Sequence, residues 1–122
     1  MNNMLLMDEK KTLYEVRKFF ENDKFATENG AVIDEIGDYT ATCSLKVTDS
    51  HRNAMGAVMG GVYFMLADFA FAVAANWKKI GCVSLHSDIS FLGPAKNAII
   101  SSPTNLSTSP PLFKIICVSI SK

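Results

Sequence analysis

The chain has no CxxC pair, no basic run longer than two residues and no acidic residue after Asp88. Each absence removes a class of function. Cys43, Cys82 and Cys117 stand too far apart for a metal-ligand spacing, so they are expected to be buried free thiols in a reducing compartment. No metal and no cofactor is expected. Basic side chains occur at most in pairs such as Lys10-Lys11 and Lys78-Lys79, and twelve of them balance twelve acidic ones. That distribution offers no electrostatic footprint to a nucleic acid. The opening MNNMLLMDEKK lacks a basic n-region and has too short an apolar stretch for a secretory signal. A cytoplasmic protein is expected.

What is present is apolar material. Of the 122 residues, 48% are hydrophobic, enough for one globular domain over 1–122 with a real core. Leu13, Val16, Phe19 and Phe20 recur at helical spacing and predict an amphipathic helix from Asp8 to Asn22. Residues 30–36 and 39–47 are β-rich, and Gly37-Asp38 between them predicts a hairpin turn. In the second run Tyr39, Ala41, Cys43, Leu45 and Val47 alternate with polar residues, as in a half-buried strand. CVSLHSDISFL, residues 82–92, predicts a further strand stopped by Gly93-Pro94. Beyond it SSPTNLSTSPP carries prolines 103, 110 and 111, which argue against central strands. LFKIICVSI is expected to form one edge strand. One very apolar helix among antiparallel strands predicts an α+β fold with the sheet wrapped around that helix.

The helix in question lies in NAMGAVMGGVYFMLADFAFAVAANW, residues 53–77, which contains one charge, Asp68. If Gly60-Gly61 opens it, the helix is apolar on every face except at Asp68, so it is buried or spans a membrane. Against spanning stand the glycine pair, the amphipathic neighbours and an interior aspartate costing about 2.5–3.5 kcal/mol on insertion. The neighbours of Asp68 at three and four positions are Phe64, Met65, Phe71 and Ala72. A carboxylate there is expected to lose hydration without a salt bridge from its own helix. Two readings stay open, an aspartate bonded to backbone at a helix contact and a catalytic acid.

Gly60 and Gly61 would leave bare N–H groups at a helix N-terminus, where an oxyanion can be held. Asp68 stands seven to eight residues on, or ~10–12 Å along the axis. One helix therefore cannot bring both to a single carbon. Two antiparallel copies can.

His51-Arg52-Asn53-Ala54-Met55-Gly56-Ala57-Val58-Met59-Gly60-Gly61, then Leu66-Ala67-Asp68 and Ala75-Asn76, resembles a known signature, HxNxxGxxHGG…LAD…AxN. It is that of the PaaI-like acyl-CoA thioesterases of the hotdog fold. VSLHSDISFLGPAK is similar to the strand and turn that follow in that family. The resemblance covers residues 8–96 and implies a homodimer or dimer of dimers that hydrolyses an acyl-CoA thioester at the subunit interface without metal. It assigns Asp68 as base on water or nucleophile and the Gly60 N–H as oxyanion donor. It sets Gly61 beside Gly60, Asn53 in the loop near the reacting group, and Ser84 where relatives help place water.

Two departures follow. Met59 stands where the family has histidine before the glycine pair, and a thioether donates no hydrogen bond. His51 and His86 are expected to be ordinary loop and strand histidines rather than its replacements. The second departure is the tail, 97–122, which lacks the family's two long, charged, alternating strands. It is expected to be frameshifted or truncated, leaving the sheet incomplete. The alternative to a thioesterase is a non-catalytic hotdog domain that binds acyl- or aryl-CoA, or an inactive remnant. Phe64, Phe69, Phe71 and Trp77 line an acyl pocket or form plain core, and Lys78, Lys79 and Lys96 are phosphate candidates by charge alone.

Overall fold

The computed structural model describes residues 12–84, 86–91 and 93, and as backbone the strand segments 99–106, 113–115 and 119–121. Helix α1 is Leu13–Phe20, shorter than the expected 8–22, whose first residues lie outside the described ones. Its start is fixed by a reciprocal cap. The Thr12 hydroxyl accepts from the Glu15 N–H at 3.1 Å, and the Glu15 carboxylate accepts from the Thr12 N–H at 3.1 Å. Val16 and Phe20 are its buried face. A short helix α2, Lys24–Glu28, leads into strand β1, Ala31–Gly37.

Strand β1 pairs antiparallel with β2, Thr40–Lys46, and a bulge interrupts the ladder between Ile33 and Glu35. Gly37 opposes Thr40, so the turn residues are Asp38 and Tyr39 rather than Gly37-Asp38. Tyr39 takes the positive φ, 55°, and leaves the strand face assigned to it. The glycine serves a different end. A Cβ on Gly37 would collide with the Thr40 hydroxyl. Ala41, Cys43, Leu45 and Val47 are buried as the alternation predicts.

Helix α3, Gly60–Asn76, packs across β2 and a third strand, β3, Ile99–Leu106. Strands β4, Phe113–Ile115, and β5, Ser119–Ser121, both pair with the far side of β3. The expected single edge strand is thus two short ones. Pro103 stands inside β3 opposite Thr42, against the expectation that proline keeps out of central strands. The outer pairing shows how. Strand β5 covers Ile99–Ser101 and β4 covers Thr104–Leu106, so the gap between them falls at Ser102 and Pro103, where a donor is missing.

The core joins Val16, Phe20, Ile33, Cys43, Leu45, Leu66, Ala70, Val73 and Trp77. Phe20 and Phe69 meet edge to face with centroids 6.3 Å apart. Phe69, Phe71 and Trp77 are buried, and the Trp77 N–H donates to the Gly37 carbonyl at 2.7 Å. Lys78 follows it onto the Asp38 carboxylate. No helix among the described residues is long and apolar enough to cross a membrane.

Candidate functional site

The loop before α3 is built by its own polar groups. His51 is buried, its Nδ1 accepting from the Thr48 N–H at 2.9 Å and its Nε2 lying 2.6 Å from the Asn29 carbonyl. Those partners assign the proton to Nε2 and make the ring neutral and structural. The Asn53 side-chain carbonyl accepts from the N–H groups of Met55 and Ala57 at 2.9 and 3.0 Å. Its carbonyl oxygen therefore shapes the loop. The loop closes when the Met59 N–H reaches the His51 carbonyl at 2.9 Å, which delivers Met59 as the N-cap of α3.

Met59 makes no side-chain cap. A thioether offers no strong acceptor, so the first N–H groups of α3 keep the unsatisfied character that favours negative charge. Gly60 is half-buried against Phe91, and a Cβ there would lie 3.2 Å from the ring. Gly61 is exposed.

Asp68 is exposed on the chain, contrary to the expectation that it loses its hydration. The helix is apolar nearly all round, but the sheet covers only part of it. Gly61 and Asp68 are exposed and Phe64, Met65 and Ala72 are half-buried, which marks one uncovered stripe at helical spacing. Nearby, the carboxyl of Asp23 at the start of α2 is held above the ordinary range, first by desolvation and then by the negative charge of Asp68.

At the C-terminal end of α3 the Asn76 side chain turns the chain back. Its Oδ1 accepts from the N–H groups of Gly81 and Cys82 at 2.9 and 2.8 Å, while its amide donates to the carbonyls of Ala72 and Cys82 at 3.0 Å each. The signature contains Asn76, but nothing in the spacing assigns it this task. Gly81 supports the reversal with φ 132°. The following segment then runs opposite to α3 and ends with the Phe91 ring 6.1 Å from that of Tyr63. The described residues of 82–91 form no ladder, so the predicted strand is an unpaired segment here.

Between this segment and the uncovered stripe lies an open cavity of about 470 Å³. Gly61, Phe64, Met65 and Asp68 form one wall, and Ser84, His86 and Ser87 face them, with Phe25 of α2 at the side. Three of the expected site residues, Gly61, Asp68 and Ser84, therefore share one cavity. His86, an exposed histidine on this segment, also lines it. Met59, Gly60 and Asn53 are not among its lining. Of the phosphate candidates, Lys78 is engaged with Asp38 and lies over the Tyr39 and Trp77 rings, while Lys96 lies outside the described residues.

No protein-family model matches the chain, and no curated protein does so either. Solved structures do. The PaaI protein of the Escherichia coli phenylacetic acid degradation operon is 29% identical, with TM-score 0.67 over 73% of this chain and 65% of that one. The chain has the PaaI-like hotdog fold. A point mutant of the phenylacetic acid degradation protein PaaI from Thermus thermophilus is 20% identical with TM-score 0.67, over 79% of this chain and 91% of that one. A hypothetical thioesterase from Streptococcus pneumoniae, solved with coenzyme A, is 22% identical with TM-score 0.63 over 71% of both chains. The chain spans 65% of the length of the Escherichia coli PaaI protein.

Proposed function

We propose that this single-domain chain is a cytoplasmic acyl-CoA thioesterase working as a homodimer or dimer of dimers. One observation carries the reading: the only charge of α3, Asp68, stands exposed in a cavity with Gly61 and Ser84 rather than sealed in the core. A carboxylate placed so can accept the proton of water attacking a thioester carbonyl, or attack that carbonyl itself. Ser84, on the facing wall, is assigned to hold that water. The oxyanion needs a donor, and the uncapped start of α3 has one in the Gly60 N–H. Because Gly60 and Asp68 are ~10–12 Å apart along one helix, the donor is assigned to a second copy of the chain. The coenzyme A in the Streptococcus pneumoniae structure supports the choice of substrate class.

The test is thiol release over a panel of acyl-CoAs. Asp68→Asn should lower turnover by ~10²–10⁴ while the oligomer persists. Turnover near that of the parent protein would end the assignment. A second reading, a domain that binds acyl-CoA without cleaving it, is favoured by the thioether at Met59. It predicts heat of binding by calorimetry with no free thiol.

A further inference from the structure

The wall that faces Asp68 has no ladder among its described residues, so something else must fix where its side chains stand. Phe91 is nine residues beyond Cys82, a reach of ~30 Å when extended. Helix α3 beside it measures ~24 Å from Gly60 to Asn76. The slack is about two residues. A slip of one residue therefore fits, and it would move each side chain ~3.3 Å and turn the opposite set toward the helix. The ring of Phe91 against Gly60 and Tyr63 does not prevent this, because apolar contact is not directional.

The other end is held by directional bonds. The Asn76 Oδ1 accepts from the N–H groups of Gly81 and Cys82 at 2.9 and 2.8 Å, and its Nδ2 donates to the carbonyls of Ala72 and Cys82 at 3.0 Å each. Both acceptor sites and both donors of the side chain are used. The opposite orientation of the amide would set its NH2 group against two N–H groups. Cys82 thus has its N–H and its carbonyl on one partner, as a strand residue does in a hydrogen-bonded pair. The bond to Ala72 ties the same amide to the turn of α3 next to Asp68.

We propose that Asn76 is a positioning residue of this site: it fixes the register of the returning segment against α3 and so sets Ser84 across the cavity from Asp68. This rests on the thioesterase reading, in which Ser84 holds the water that Asp68 activates. Asn76 is not among the cavity's lining and stands ~12 Å from Asp68 along the helix axis, so it acts through the segment it holds. Its amide suits the task as no neighbouring side chain type does. Aspartate lacks the two donors, and glutamine is one methylene too long.

The experiment is a double-mutant cycle on thiol release: the parent protein, Ser84→Ala, Asn76→Ala and the two combined, with Asp68→Asn as control. Ser84→Ala should lower kcat ~10-fold in the parent protein and less than about twofold in the Asn76→Ala background. Asn76→Ala alone should lower kcat ~10–100-fold with KM within about threefold. A merely structural role reduces the amount of folded protein and leaves the Ser84 factor the same in both backgrounds. Equal factors, or a Ser84→Ala variant as active as the parent protein, overturn the inference. An inactive Asp68→Asn then leaves the thioesterase reading standing. If the parent protein releases no thiol from any acyl-CoA, both fall. Asn76→Asp is the second variant, taking the place of Asn76→Ala in the cycle if that protein does not fold. It keeps the acceptor for the two N–H groups and turns a carboxylate oxygen toward the Ala72 and Cys82 carbonyls. Amide NMR signals give a readout independent of turnover. Those of Gly81 and Cys82 should move in either variant while those of Leu66 and Ala70, in the middle of α3, stay. Unmoved Gly81 and Cys82 signals overturn the inference, and so does loss of the α3 signals in both variants, which would make Asn76 a folding residue alone.

Discussion

Asp23 and Asp68 come from different helices, and each carries negative charge toward the other. The raised pKa of Asp23 means that the fold disfavours its ionised form. Stability linked to this group is therefore fully present below the ordinary carboxylate range and is lost as pH rises through the raised value. Asp23→Asn keeps an N-cap residue and should raise the melting temperature at pH 7 while leaving it unchanged near pH 3, measured by thermal circular dichroism. Cys43 shows the opposite extreme of accessibility. Burial, with Asp34 nearby, pushes its thiol up to about 12. It should resist iodoacetamide in the folded protein, whereas half-buried Cys82 should react, read by mass spectrometry of the peptides. The sequence supports free thiols but not this difference, because spacing says nothing about depth. The same holds for Asp23, whose charge partner is brought to it by the packing of α2 near α3.

At the scale of elements, α3 depends on the sheet for most of its stability, since its apolar surface has nowhere else to go. Leu66 is fully buried, and Leu66→Ala should cost about 2–5 kcal/mol of unfolding free energy in denaturant titrations. Helix α3 was legible because Gly60-Gly61, the apolar run and Asn76 mark its ends and its length. Strand β2 was legible from strict alternation. The hairpin turn was misplaced because a glycine is as useful for a close approach, here to Thr40, as for a turn. The segment 82–91 reads as a strand from its residues, yet a ladder needs a neighbour, and composition cannot supply one. Pro103 misleads in the other direction. A proline is tolerated in β3 because the outer strands stop on either side of it, which only the topology reveals. Of the site, the wall on α3 was legible from the signature and from helical geometry, and Ser84 on the opposite wall from the resemblance alone. The path of the returning chain was not, because the Asn76 side chain decides where it passes.

For the whole molecule the decisive question is whether one site draws on two chains. Gly60 offers a way to ask. It is the first residue of α3, where proline is accepted, and Met59 before it already has extended backbone with ψ 138°. Gly60→Pro removes the N–H, provided the Phe91 ring yields a few tenths of an ångström. Each of Gly60→Pro and Asp68→Asn should be inactive alone. Mixed in equal amounts and allowed to exchange subunits, they should recover roughly a quarter of the parent activity, because half the dimers are mixed and each has one intact site. No recovery in demonstrably mixed dimers would place donor and acid on the same chain.

The segment returning from Asn76 is clamped at its ends, by three hydrogen bonds from the Asn76 side chain to Gly81 and Cys82 and by Phe91 against Gly60 and Tyr63. Among the described residues between the clamps no ladder protects the backbone, whereas the middle of the facing helix is hydrogen-bonded. The two sides of the cavity should therefore live on different clocks. In hydrogen–deuterium exchange the amides of residues 83, 84 and 86–90 should exchange far ahead of those in the middle of α3. A ligand that fills the cavity should slow the first set and leave the second nearly untouched, so that part of its binding energy goes into stilling one side of its own pocket.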